Sequence, residues 1–238
     1  MRLTILMYHR VATTPAGAQH PKNFVTPERM REQIEGLLSW GYLPVSFAQW
    51  MDYRSHRTAL PRLPFIVTFD DGYADFDRNA WPVLRELKVP ATVFLVASKI
   101  GGTNDWDRDE PRADLLDAVR IRELAAEGVE FGGHGDTHVP LANVSPNEAR
   151  IEIERCRTTL GALLATPPEV FAYPYSNQNA TVRRLTREAG FRCAVRGKGR
   201  LNARWVDAFG LRRILMHEGI TPHALKRLLM RLRWLTLG

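Results

Sequence analysis

Two acidic residues and two histidines are the side chains of this 238-residue chain whose spacing could support hydrolytic chemistry. Asp70 and Asp71 follow directly on the apolar run Phe65–Phe69. His134 and His138 lie four residues apart in a glycine-rich segment. Two imidazoles and one carboxylate can hold a divalent metal ion, and a second carboxylate can act as a base toward water. These four residues therefore predict metal-assisted hydrolysis.

Each pair also has a purely structural interpretation. An Asp-Asp-Gly sequence is typical of a helix N-cap followed by a solvated turn, and the dipeptide Asp70-Asp71 on its own favours that interpretation. A lone histidine is usually structural, whereas the i, i+4 spacing of His134 and His138 leaves metal ligation and a structural role equally open. The glycines around these histidines argue against a regular helix, so we expect a loop that leads into a short turn.

A third candidate segment is the aromatic turn Phe171–Asn177, which follows a predicted strand. Pro174 restricts the backbone of this turn. An exposed backbone N–H in such a turn could stabilise an oxyanion. Taken alone, the segment indicates only an aromatic turn.

The elements that must position these residues alternate between short apolar runs and amphipathic stretches, as in a mostly parallel α/β fold. Seven runs predict strands: Leu3–Tyr8, Phe65–Phe69, Ala91–Val96, Val129–Phe131, Val170–Tyr173, Arg192–Val195 and Leu211–Leu215. Helices are predicted from Pro27 after the cap Thr26, over Asn79–Leu87 and Leu115–Ala126, from Ser145-Pro146 to about Leu164, and from Pro222 after Thr221. Two long loops, Ala12–Val25 and Ser98–Asp114, follow predicted strands. Such loops carry the substrate contacts of a barrel.

Charge, cysteine content and hydropathy indicate which partners and which cellular compartment to expect. The net charge is +7, but the arginines are spread along the chain without a nucleic-acid-binding signature, so we expect no nucleic-acid partner. Cys156 and Cys193 are the only cysteines and predict two buried thiols. The N-terminal apolar run is too short for a signal peptide, and no run is long enough to span a membrane. We therefore expect a cytoplasmic protein.

Three motifs in this order resemble the polysaccharide deacetylase (NodB-homology) family. Thr68–Tyr73 is similar to its first motif, the pair His134 and His138 to its second, and Tyr173-Pro174-Tyr175 to its third. The strand end Tyr8-His9 resembles a circularly permuted branch of the family, in which the last strand has moved to the front. The resemblance implies a distorted (β/α) barrel of the NodB-homology type with about seven parallel strands, forming one catalytic domain over residues 1–238.

The resemblance also implies an activity and a role for each residue. The family's members are metal-dependent hydrolases that remove acetyl groups from N-acetylated sugars, so the implied partner is an N-acetylated glycan. By this resemblance Asp70 is the general base. The implied metal ligands are Asp71, His134 and His138, and the metal is most often zinc. The backbone N–H of Tyr175 is implied to hold the oxyanion.

Two further roles, the general acid and the residue that pairs with the base, are not assigned by the three motifs alone. Both Leu6-Met7-Tyr8-His9 and Leu215-Met216-His217 match the family's Leu-x-His pattern for the acid, and we favour His9 over His217. An arginine of the third motif usually pairs with the base, but Ala172 stands at that position. We expect Arg213 to take its place. The family's fourth motif is not clear in this sequence, and Trp205-Val206-Asp207 resembles it only weakly.

The C-terminal helix has two interpretations. Its leucines, Leu225, Leu228, Leu229, Leu232 and Leu235, share one face that would pack into the core, and this is the interpretation we favour. The alternative is a basic helix lying on anionic lipid at the inner face of the membrane. For the whole chain, two other functions stay open: a catalytically silent glycan-binding protein, and a deacylase of a small nucleotide- or lipid-linked amino sugar. The oligomeric state stays unassigned.

Overall fold

The computed structural model describes residues 2–197 and 199–234. All seven predicted strands are present, and additional strands of two residues accompany them. The strands are β1 (Arg2–Tyr8), β2 (Arg10–Val11), β3 (Phe24–Val25), β4 (Leu43–Pro44), β5 (Pro64–Phe69), β6 (Ala91–Leu95), β7 (Glu130–Gly133), β8 (Val170–Ala172), β9 (Cys193–Arg196), β10 (Asn202–Ala203), β11 (Leu211–Arg212) and β12 (Ile214–Leu215). The helices are α1 (Pro27–Ser39), α2 (Phe47–Arg54), α3 (Trp81–Glu86), α4 (Ala118–Ala126), α5 (Pro146–Leu164), α6 (Ala180–Glu188) and α7 (Pro222–Trp234).

The sheet runs in the order β10-β1-β5-β6-β7-β8-β9-β11 and is parallel except at β10. The run predicted as one strand over Leu211–Leu215 is interrupted at Arg213. Its first half, β11, pairs with β9, while its second half, β12, pairs with β1. This segment therefore joins the last strand to the first and gives the sheet its nearly closed, barrel-like form.

Local sequence explains where the helices begin. Thr26 accepts from the Arg29 N–H ahead of α1, Ser145 forms a capping box ahead of α5, and Thr221 Oγ1 accepts the Ala224 N–H at the start of α7, so the three predicted caps are present. The prediction missed α2 and α6, although Ser46 forms a capping box ahead of α2 and the Asn179 side chain accepts the Val182 N–H ahead of α6. The helix predicted over Asn79–Leu87 is α3, preceded by a π-helical segment over Phe76–Ala80. The helix predicted over Leu115–Ala126 begins three residues later, at Ala118.

Two apolar clusters fill the structure, one on each side of the sheet. The larger lies between the sheet and the surrounding helices and includes Leu225, Leu229 and Leu232 of α7. The core interpretation therefore holds for these leucines, while Leu235 lies outside the described residues. The smaller cluster lies inside the barrel, where Phe47, Trp50 and Met51 of α2 pack against inward-facing strand residues. Both cysteines are buried free thiols, as predicted.

Strand alternation sets which side chains point inward. Leu3 and Ile5 of β1 belong to the interior cluster, so Met7 and then His9 continue the same face toward the carboxyl end of the strand. On β5 the same alternation places Ile66, Thr68 and Asp70 on the inward face. Polar side chains therefore collect at one end of the barrel while apolar ones fill the rest. None of the helices within residues 2–197 and 199–234 is long and apolar enough to cross a membrane.

Arg213 links the closing segment to the residues at the carboxyl end of β5. Its backbone N–H donates to the Arg196 carbonyl at 2.9 Å, while its side chain enters the barrel. Nη1 and Nη2 donate to the two carboxylate oxygens of Asp70 at 2.5 and 2.6 Å, and Nη1 also donates to Thr68 Oγ1 at 3.1 Å. The guanidinium lies over the Phe94 ring, 5.4 Å from its centroid. Arg213 is 1% exposed and Asp70 3%, so the pair is almost fully buried and each charge is the main partner of the other.

Replacing Arg213 with methionine should destabilise the protein because it leaves a buried carboxylate without a partner. We expect Arg213→Met to lower the free energy of unfolding by about 3–5 kcal/mol, measured by urea denaturation in chelator. The double variant Arg213→Met/Asp70→Asn should recover part of the loss because the uncompensated charge is gone. Arg150→Met is the matched control, since its ion pairs are on the surface and should contribute about 1 kcal/mol or less. A loss for Arg213→Met no larger than that of the control would contradict this account.

Candidate active site

Asp70 and Asp71 follow β5, between β1 and β6, and point in different directions. The Asp70 N–H donates to the Tyr8 carbonyl at 3.0 Å, so Asp70 continues the pairing of β5 with β1. Asp71 then adopts a left-handed backbone conformation, with φ +72°, and Gly72 follows at φ +76°. A Cβ on Gly72 would lie 2.7 Å from Leu95 Cδ2, so this turn requires glycine. The strained turn separates the two carboxylates, and strain of this kind concentrates at functional sites.

The Asp70 carboxylate is held in its charged form. Burial raises the pKa of this carboxyl, but the charge of Arg213 and its hydrogen bonds outweigh burial and leave the pKa below its ordinary value. The pairing of Arg213 with Asp70 expected from the sequence is thus present. Ala172, at the position of the family's arginine, contributes its backbone carbonyl to the site instead.

Asp71, His134 and His138 form a compact buried cluster. Oδ1 of Asp71 lies 3.3 Å from Nε2 of His134 and 3.2 Å from Nε2 of His138. All three donor atoms lie within 4.8 Å of one another. One carboxylate oxygen and two imidazole nitrogens are a donor set typical of zinc and of other divalent metals.

The protonation pattern of this cluster fits a bound cation. Nδ1–H of His134 donates to the Ala172 carbonyl at 2.7 Å, which leaves Nε2 with its lone pair in the neutral imidazole. That lone pair faces Asp71 Oδ1, a buried oxygen that has no hydrogen-bond partner among the described residues. Two facing lone pairs repel each other unless a cation or an extra proton lies between them. The hydrogen bond from His134 to the Ala172 carbonyl is of the kind that usually orients a metal-binding histidine.

His9 faces the same cleft, whereas His217 does not line it. Nε2 of His9 lies 3.9 Å from Oδ2 of Asp70, and both side chains line a cleft of about 280 Å³ together with the three cluster residues. Burial lowers the pKa of His9 below its ordinary value, although the charges of Asp70 and Asp71 oppose the shift. Nδ1 of His217 instead accepts the Gly219 N–H at 3.1 Å, in a turn ahead of α7.

The aromatic turn after β8 borders the cleft. Tyr175 and Ser176 have left-handed backbones, with φ +54° and +57°. The Ser176 N–H donates to the Tyr173 carbonyl and the Asn177 N–H to the Pro174 carbonyl. In the described part of the chain, no backbone acceptor pairs with the N–H of Tyr175. The turn therefore leaves this N–H available to a ligand.

Several cleft residues were not predicted individually, because they lie on loops without a motif. His20 and Asn23 come from the first long loop, and Asp107 comes from the second. The prediction of both loops as substrate-contacting segments was the only sequence signal for them. Glu152 of α5 was also missed: its carboxylate accepts the N–H groups of Asp136 and Thr137, each at 2.9 Å. It therefore supports the turn between His134 and His138.

Comparison with known sequences gives a consistent assignment. Residues 60–194 match the family model of polysaccharide deacetylase. The putative polysaccharide deacetylase YxkH of Bacillus subtilis (strain 168) is 21% identical over 159 residues, which are 67% of this chain and about half, 53%, of that protein. The poly-beta-1,6-N-acetyl-D-glucosamine N-deacetylase of Staphylococcus aureus (strain N315) is 23% identical over 244 aligned residues, covering 93% of this chain and 81% of that protein.

Solved structures share the fold. The Streptococcus pyogenes deacetylase PplD, in complex with acetate, superposes with a TM-score of 0.82 at 21% identity, over 95% of this chain and 97% of that one. A de-N-acetylase from Aggregatibacter actinomycetemcomitans gives 0.82 at 18% identity, over 96% and 100%. At these identities the likeness establishes the barrel fold. Since the family model covers more than half of the chain, this protein belongs to the polysaccharide deacetylase family.

Proposed function

We propose that this chain is a metal-dependent hydrolase that removes N-acetyl groups from the amino sugars of a polysaccharide, an oligosaccharide or a lipid-linked glycan, with residues 1–238 as one catalytic domain. The observation that carries the proposal is the placement of a charged Asp70 beside the cluster of Asp71, His134 and His138 in one cleft. A base and a metal-binding set side by side are what hydrolysis of an unactivated amide requires.

Asp70 is the proposed general base. Its carboxylate accepts a proton from the attacking water while Arg213 keeps it oriented through two parallel hydrogen bonds. Since Arg213 holds the pKa of Asp70 low, the carboxylate is ionised before each turnover. The same pairing makes Asp70 a poor metal ligand, because both of its oxygens are already engaged.

Asp71, His134 and His138 are the proposed metal ligands, and zinc is the metal we expect from the donor set. A divalent ion bound there would supply positive charge that polarises the acetamide carbonyl and lowers the pKa of water. The backbone N–H of Tyr175 is the proposed donor to the negative charge that develops on the carbonyl oxygen. A donor fixed by a strained turn needs little reorganisation during the reaction.

His9 is the proposed general acid. Its neutral imidazole receives the proton that Asp70 takes from water, and the imidazolium so formed donates that proton to the departing amine. A pKa below the ordinary value makes this imidazolium a stronger donor. Asp70 Oδ2, at 3.9 Å, is close enough to pass a proton to His9 through a small shift or one water molecule. The proton taken from water would then reach the amine within a single cleft.

Acetate release from N-acetylated glycans tests the proposal. β-1,6-linked N-acetylglucosamine oligosaccharides are the first substrate to assay, because the Staphylococcus aureus relative is named for that polymer. We expect acetate release that stops in a chelator and returns with Zn²⁺. A small nucleotide-linked N-acetyl amino sugar is the second arm, and preferential turnover there would favour the alternative substrate class. Binding without acetate release on any arm would indicate a silent glycan-binding protein.

The same assay separates the two candidate acids. His9→Gln should lower kcat by about 10²–10⁴-fold, the usual contribution of a general acid. His217→Gln is the matched control, since among the described residues its side chain makes its hydrogen bond to Gly219 in its own turn, and it should retain wild-type turnover. Equal losses in the two variants would contradict the assignment of His9.

A cytoplasmic location and a peripheral membrane contact are further proposals about this chain. Because Leu225, Leu229 and Leu232 are buried, contact would involve the exposed basic side chains of α7, Lys226, Arg227 and Arg231, rather than an inserted apolar face. Co-sedimentation with anionic vesicles tests it. We expect binding that weakens in Lys226→Gln/Arg227→Gln, and equal binding of this variant and the wild type would contradict it.

A further inference from the structure

The second long loop packs against the proposed ligand His138 but has no part in the proposed reaction. Trp106 in this loop places its ring centroid 4.6 Å from that of His138, with the planes inclined by 34°. Tyr175 contacts the same imidazole at 4.6 Å with an inclination of 63°. His138 is therefore enclosed by aromatic rings from two separate loops.

The two proposed histidine ligands are supported in different ways. His134 donates from Nδ1 to a backbone carbonyl, which fixes its ring. Nδ1 of His138 is buried and has no hydrogen-bond partner among the described residues. His138 also holds a left-handed backbone, with φ +69°, outside any regular element. A metal-binding histidine normally needs a partner that orients its ring, and for His138 no hydrogen bond serves that purpose within the described ranges.

The loop that carries Trp106 is well anchored. Asn104, 1% exposed, accepts the Ala113 N–H at 2.8 Å and donates to the Pro111 carbonyl at 3.3 Å. Lys99 pairs with Asp105 at 2.8 Å. The indole N–H of Trp106 is buried without a hydrogen-bond partner in the described chain, so packing of its ring decides its position. An anchored loop can therefore present this ring to His138 in a fixed orientation.

We propose that Trp106 is a positioning residue for the metal site: its ring face sets the orientation of the His138 imidazole, so that Nε2 points toward Asp71. Contact between ring faces takes the place of the hydrogen bond that His134 has. The position of Trp106, which its loop holds, thereby affects how tightly the site binds the metal. This inference rests on the proposed metal site.

Metal affinity in substituted Trp106 variants tests the inference. The dissociation constants for Zn²⁺ and Co²⁺ are measured on the full chain by competition with a chromophoric chelator, and the Co²⁺ absorption spectrum reports ligand geometry. Trp106→Leu should weaken binding by about 10–100-fold and alter the spectrum, as expected for loss of a group that orients a ligand. Trp106→Phe should restore affinity to within about threefold of wild type because an aromatic face is kept.

Two controls separate positioning from loop integrity. Asp105→Asn removes the exposed ion pair with Lys99 but keeps the buried Asn104 hydrogen bonds that hold the loop, and Trp205→Leu removes an indole that is 86% exposed; both should bind metal like the wild type. Wild-type affinity and spectrum in Trp106→Leu would overturn the inference, as would equal weakening in the Phe and Leu variants. Absence of metal binding by the wild type would instead overturn the proposed metal site itself.

Discussion

The buried ion pair between Arg213 and Asp70 is the interaction on which the rest of the structure depends. It joins the segment that closes the barrel to the carboxyl end of β5, at a place where both side chains are almost fully buried. A buried charge is tolerated only with a partner of good geometry, so the closure of the sheet and the charge state of Asp70 are fixed by the same contact. Arg213 lies where the segment Leu211–Leu215 changes its partner strand, from β9 before it to β1 after it.

Next to this pair, the turn at Asp71 divides two adjacent acids between two environments. Asp70 lies against a guanidinium, while Asp71 lies against two imidazole nitrogens. The left-handed backbone at Asp71 and the glycine after it make this division possible, because an extended chain would carry the second carboxylate to the opposite face of the sheet. His138 and Tyr175 adopt left-handed conformations around the same cleft. The packed barrel holds the strained backbone that the site needs.

Sequence patterns predicted the strands, most helices and the side chains that converge, because these depend on local alternation, capping and motif spacing. The helix α2 was missed because its eight residues are too few to show a clear apolar period, although Ser46 carried a capping signal. The circularly permuted origin stays a prediction, whereas the neighbouring positions of β1, β5 and β12 are observed. Trp106, Asp107 and Glu152 reach the site through long-range packing, which spacing along the chain does not encode.

The central claim is that Asp70 acts as a base and Asp71 as a metal ligand, although the two are neighbours in sequence. The most direct measurement compares zinc content and acetate release in Asp70→Asn and Asp71→Asn, purified identically from the full chain. Asp70→Asn should retain about one zinc per chain and lose turnover, because the base is gone while the ligand cluster is intact. Asp71→Asn should lose both zinc and turnover. Full zinc content in Asp71→Asn, or substantial acetate release by Asp70→Asn, would contradict the account.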